Sequence, residues 1–174
     1  MIIPPMIQKQ IASQSSPMDN RFFHHAINAL ESMNKTTEEN YCYDDIAKAA
    51  NILERIYKGF LQAAHNHCDF YTLPSASFLD NDHDIFGIVM EIKQYFPDVF
   101  PRQNREEWRI TKNFYRDLRM AYTDSRYSTY PNYSEFVNLR EYVNEQYKMI
   151  SDYIKEGNLT QTSELDYDSE ASHD

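Results

Sequence analysis

The most distinctive chemistry in the sequence is a row of cationic side chains between residues 105 and 126. Five of them recur at spacings of four, three, four and three residues, which on an α-helix places them in one narrow sector. Guanidinium groups offer paired N–H donors to phosphate oxygens, so the spacing predicts a phosphate-binding surface. We call this row the basic stripe; it comprises Arg105, Arg109, Lys112, Arg116 and Arg119, and Arg126 continues it.

Tyrosines accompany the C-terminal end of the basic stripe. Aromatic rings beside arginine are used to stack nucleic-acid bases, although tyrosine is abundant throughout this chain, with 14 in all. The candidate residues for binding phosphate or a nucleotide are therefore Arg109, Lys112, Arg116, Arg119, Arg126, Tyr122, Tyr127 and Tyr133. The alternative interpretation makes the stripe a solvated face that is neutralised by Glu106, Asp117 and Asp124.

The other reactive residue types form no recognisable catalytic or metal-binding motif. The three glycines stand far apart, which excludes the clustered-glycine loops that hold phosphates. The two cysteines form no C-x-x-C pair, and we interpret both as free thiols. His65 and His67 point to different sides of a helix, and His83 is interpreted chiefly as part of a helix cap. We therefore expect no catalytic residue, no metal and no cofactor.

These residues must be positioned by helices, because helical periodicity continues through the chain and no alternating β-branched run predicts a strand. We expect an all-α, up-and-down bundle of about five helices, with the second, fourth and fifth at its centre. The predicted helices run from Ser16-Pro17 to about Met33, from Asp44 through Ala64, from Asp82 to before Pro97, from Asn104 to Arg126, and from Asn132 or Ser134 to Lys155.

Length and composition fit one soluble domain. The chain has 174 residues, of which 41% are hydrophobic, and it contains no apolar run long enough to span a membrane. The N-terminal residues lack the pattern of a signal peptide, so we expect a cytoplasmic protein without membrane contact.

The two ends of the chain differ in composition from the middle. We expect a flexible arm over residues 1–16, the bundle over 17–156 and an acidic, disordered tail over 157–174. The net charge is −10, but residues 156–174 hold six acidic and no basic residues, so the rest of the chain carries a net charge of only −4. The distribution of charge therefore matters more than its total.

Three short motifs resemble those of HEPN domains, a family of small helical bundles associated with nucleotides or RNA. Residues 49–61 fit A-x-x-x-L-E-x-x-x-K-x-x-L and are followed by His65. Residues 82–85, Asp-His-Asp-Ile, resemble a T-H-D-L helix start, and residues 122–127 fit Y-x-x-x-R-Y with Arg126 as the family arginine. The resemblance covers about residues 40–155. It implies a HEPN-like fold, a nucleotide or RNA ligand and a homodimer with a shared cleft.

One departure from the family pattern concerns catalysis. Nuclease members place a histidine after four to six residues beyond the arginine, whereas Arg126 is followed at those positions by Pro131, Asn132 and Tyr133. The resemblance thus implies a non-catalytic binder of a nucleotide or RNA backbone, in a toxin–antitoxin or defence context. One alternative is a metal-independent endoribonuclease that uses Arg126 with Tyr133, His65 or His83. Another is an interaction module whose basic stripe docks an acidic protein, including the chain's own tail.

Overall fold

The computed structural model describes residues 16–42, 44–68, 83–124 and 132–159, without the side chains of 119–124. These ranges contain five helices and no strand, which confirms the all-α helical bundle. The helices are α1 (Arg21–Asn34), α2 (Asp44–His67), α3 (Ile85–Tyr95), α4 (Arg105–Asp124) and α5 (Tyr133–Lys155). None of the described helices is both long and apolar enough to cross a membrane.

Helix α2 is the centre of the bundle. It packs against all four other helices, while α3 also packs on α4 and α1 on α5. The expectation of three central helices holds for α2 alone, because neither α4 nor α5 packs on all the other helices, and α4 leaves Ile110 58% exposed. Close packing of α1 on α2 depends on Gly59, since a Cβ there would lie 2.7 Å from the Phe23 ring.

Asparagine side chains set the starts of three helices. Asn20 accepts a hydrogen bond from the Phe23 N–H, so α1 begins at Arg21 and not at the predicted Ser16-Pro17. Asn104 caps α4 and Asn132 caps α5 in the same way, as the sequence predicted. At α3 the N-cap residue Asp84 makes no capping bond with its side chain. The predicted helix start at Asp82 lies outside the described residues.

The folded bundle continues beyond α5. Gly157 has a φ of 84°, the left-handed conformation that commonly ends a helix, and it turns the chain back toward α2. Leu159 is then buried, and the Cys68 thiol donates to its carbonyl oxygen at 2.9 Å. Leu159 therefore packs in the core, although its surrounding sequence had suggested that it belongs to the acidic tail.

Candidate phosphate-binding site

The middle of the basic stripe lies against an aromatic surface formed by α3 and α4. The rings of Phe86 and Trp108 are 5.9 Å apart between centroids. Lys112 Nζ lies 5.5 Å and Arg116 Cζ 5.8 Å from the Phe86 centroid, and Lys93 Nζ lies 3.8 Å from the Trp108 centroid. Cations at such distances are attracted by the negative faces of aromatic rings. We call these five residues the cation–aromatic cluster.

The cations of the stripe differ in how they are neutralised. Arg109 donates two hydrogen bonds to the Glu106 carboxylate, at 2.6 and 3.2 Å, and these bonds raise the pKa of Arg109. Lys112 and Arg116 form no ion pair with any carboxylate in the part of the chain that the structure describes. Arg116 is exposed and Lys112 half-buried. Among the described side chains, a carboxylate that neutralises the stripe is therefore seen at Arg109 and not at Lys112 or Arg116.

Sequence reasoning missed Lys93. It lies on α3, seven residues after Phe86, and two turns of helix bring both to the side that faces α4. Burial lowers the pKa of its ammonium group. The seven-residue spacing of Phe86 and Lys93 was available in the sequence, but the packing of α3 on α4 was not.

His83, interpreted from the sequence as part of a cap, contacts a buried ion pair. Its Nδ1 lies 3.2 Å from Glu54 Oε1, and Glu54 Oε2 is in turn 3.4 Å from Lys58 Nζ. Glu54 and Lys58 are buried, whereas the His83 side chain is 49% exposed. In the sequence, His83 precedes Phe86 of the cation–aromatic cluster by three residues.

A chain of hydroxyl groups lies behind the cation–aromatic cluster. The Tyr57 hydroxyl donates to Gln146 Oε1 at 2.8 Å and lies 3.0 Å from the Tyr115 hydroxyl, which is 2.7 Å from that of Tyr142. The amide oxygen only accepts hydrogen bonds, so the chain runs from Tyr142 through Tyr115 and Tyr57 to Gln146. Burial raises the pKa of all three tyrosines.

The remaining predicted site residues fall in different places. Arg119 and Tyr122 belong to α4, but their side chains are not described, and Arg126 and Tyr127 lie outside the described residues. The Tyr133 ring packs on Tyr41 and Phe136, and its hydroxyl donates to the Thr36 carbonyl at 3.4 Å. No contact in the described part of the chain joins Tyr133 to the basic stripe.

Away from the basic stripe, a cavity of about 580 Å³ lies between α1, α2 and the start of α5. Met33, Ile52 and Phe136 form apolar walls, and Asp44 and Asp45 lie at its edge. Lys48 also lines this cavity and lies 4.0 Å from Asp45, so the two carboxylates outnumber the one ammonium group and the cation–aromatic cluster is the stronger candidate for an anionic ligand.

Among the described residues, no three histidine, cysteine or acidic side chains lie together in a way that could hold a metal ion. The two free thiols are an exposed Cys42 and a buried Cys68. No family model, curated protein or solved structure matches this chain.

Proposed function

We propose that this protein binds the phosphate groups of a nucleotide or an RNA segment through the basic stripe, without catalysing a reaction. The observation that carries the proposal is the placement of Lys112 and Arg116 at the Phe86 ring without a carboxylate partner among the described residues. An exposed guanidinium and a neighbouring ammonium supply the charge and the donors that phosphate oxygens require. By sequence, Arg119 and Arg126 extend the same row.

The aromatic rings contribute to the proposed site in two ways. They attract the cationic groups and so restrict the motion of long side chains, which reduces the entropy that binding must overcome. Phe86 and Trp108 are both half-buried, so part of each ring is accessible beside the cations. Cationic grooves with accessible rings are typical of surfaces that bind single-stranded nucleic acid.

The HEPN-like assignment remains part of this proposal. Its support is that Glu54, from the first motif, contacts both Lys58 of the same motif and His83 of the second. Two motifs that are distant in sequence thus meet at one point. We extend the proposal to a cytoplasmic homodimer in a toxin–antitoxin or defence context, because the resemblance implies these properties. An acidic protein that docks on the same stripe is the competing partner.

The proposal is tested by removing two cations and measuring RNA affinity. The double variant Lys112→Ser/Arg116→Ser should bind a fluorescent single-stranded RNA at least about tenfold more weakly at low salt, since each charged hydrogen bond contributes more than 1 kcal/mol. The control is Lys48→Ser/Lys148→Ser, which removes two exposed lysines elsewhere and changes the net charge equally. Equal losses in both double variants, or no RNA binding by the wild type, would contradict the proposal.

A second candidate function, metal-independent RNA cleavage, is favoured by the contact between Glu54 and His83. A carboxylate at Nδ1 fixes the orientation and tautomer of an imidazole, an arrangement used for acid–base catalysis. Incubation of RNA with the protein and a chelator separates the two functions. The proposed binder leaves the RNA intact, whereas a nuclease cleaves it and loses this activity in His83→Gln.

A further inference from the structure

A cavity of about 150 Å³ lies directly beside the cation–aromatic cluster. On α4 its walls are Trp108, Thr111 and Tyr115, which share one helix face next to the face of Lys112 and Arg116. It is closed on its inner side by buried Val89 and Tyr115, and exposed Pro101 and Gln103 stand at its outer side. The cavity therefore connects the surface near the stripe to the tyrosine chain.

The size and walls of the cavity restrict what it holds. Its volume equals that of about five water molecules, since each occupies ~30 Å³ in the liquid, so it is too small for a whole nucleotide. Phe100 and Trp108 supply aromatic walls, which favour a flat ring.

The tyrosine chain determines two of the hydrogen-bonding groups of the cavity, which is also lined by the polar side chains of Lys93, Gln103 and Thr111. Because Tyr142 donates its proton toward Tyr115, its oxygen is left as an acceptor. Because Gln146 accepts from Tyr57 through Oε1, its NH₂ group is left as a donor, with no partner among the described residues. Tyr142 and Gln146 are four residues apart on α5 and both line the cavity. An acceptor and a donor thus stand one helical turn apart.

We propose that this cavity is a subsite for a nucleobase, held by Tyr142 and Gln146, while the phosphate of the same nucleotide binds Lys112 and Arg116. Nucleobases are flat rings whose edges carry hydrogen-bond donors and acceptors, which is the chemistry that the cavity complements. This inference rests on the proposed phosphate-binding function and adds that the ligand, a nucleotide or an RNA segment, is recognised through an accessible base as well as through its phosphate.

The test compares ligands with and without a base on the full-length protein. Calorimetry measures the affinities of AMP, GMP, CMP, UMP and ribose 5-phosphate. Trp108 is the only tryptophan in the sequence, lines the cavity and adjoins the cations, so its fluorescence reports binding at either place and ribose 5-phosphate serves as the reference. At least one nucleotide should bind about tenfold more tightly than ribose 5-phosphate and change Trp108 fluorescence more than saturating ribose 5-phosphate does.

Two variants test the hydrogen bonds, and one provides a matched control. Tyr142→Phe and Gln146→Met should each reduce nucleotide affinity toward that of ribose 5-phosphate and leave ribose 5-phosphate binding unchanged. Tyr147→Phe removes a half-buried hydroxyl from the same helix outside the cavity and should have no effect. Thermal melting confirms that each variant folds.

The outcomes separate this inference from the function on which it rests. The subsite is overturned if no nucleotide binds more tightly than ribose 5-phosphate, or if neither cavity variant changes nucleotide affinity. In that case the phosphate-binding function still stands, provided that Lys112→Ser/Arg116→Ser weakens RNA binding. Base-dependent binding that is insensitive to Lys112→Ser/Arg116→Ser supports the base pocket but overturns the phosphate site. If none of the nucleotides binds, the subsite is rejected.

Discussion

Individual side chains acquire their roles here from partners on other helices. The pairing of Arg109 with Glu106 was predictable, because residues three apart on a helix are neighbours. The contacts of Lys93 with Trp108 and of His83 with Glu54 were not, since each joins two helices whose relative placement is not encoded in local spacing. The sequence thus predicted which cations form the stripe, but not which of them have no carboxylate partner among the described residues.

The buried ion pair makes the stability of the protein sensitive to Glu54. In Glu54→Gln the Lys58 ammonium, which is fully buried, loses its counter-charge, and we expect a loss of about 3 to 5 kcal/mol in the free energy of unfolding. Urea denaturation measures this loss.

The double variant Glu54→Gln/Lys58→Met serves as the control for that prediction. It removes both charges and should recover much of the lost stability, because replacement of a buried pair by apolar groups is often neutral. A Glu54→Gln protein within about 1 kcal/mol of wild type would show that the pair is not buried as described.

At the scale of helices, local sequence signals predicted well which segments are helical and less well how the helices pack against one another. The sequence predicted starts near Asp44 for α2 and at Asn132 or Ser134 for α5, and these helices begin at Asp44 and Tyr133. The start of α1 was misplaced because Asn20 both caps the helix and donates to the Gly59 carbonyl, a contact across 39 residues that outweighs the local Ser16-Pro17 signal. Likewise, α2 is the one central helix because the other four helices all pack against it.

The tyrosine chain that joins α2, α4 and α5 predicts how stability depends on pH. Burial raises the pKa of Tyr57 and Tyr115 above the ordinary value of 10.0, so the folded state holds these protons more tightly than the unfolded state. Their contribution is fully present below about pH 10 and is lost as the pH rises further, where unfolded tyrosines ionise first.

Alkaline titration checks this prediction by following tyrosinate absorbance and circular dichroism together. The three network tyrosines should ionise only as the helical signal is lost. Ionisation of every tyrosine near pH 10 in a protein that keeps its helical signal would contradict the account.

At the scale of the whole molecule, the charge distribution decides which ligands approach. The chain is acidic overall, at −10, yet Lys93, Lys112 and Arg116 gather at one surface where α3 meets α4. A local cationic surface on an acidic protein binds anions at short range, so the affinity should depend strongly on salt.

Residues up to Leu159 belong to the bundle, because Leu159 fills the core beside Cys68.

The salt dependence of RNA affinity tests the central claim, phosphate binding by Lys112 and Arg116, most directly. For single-stranded RNA the slope of log K against log salt is about −0.7 for each neutralised phosphate. We expect a clearly negative slope for the wild type. The slope should become shallower by about 1.4 in Lys112→Ser/Arg116→Ser and stay unchanged in Lys48→Ser/Lys148→Ser. A wild-type slope near zero, or the same slope in both double variants, would contradict phosphate binding by Lys112 and Arg116.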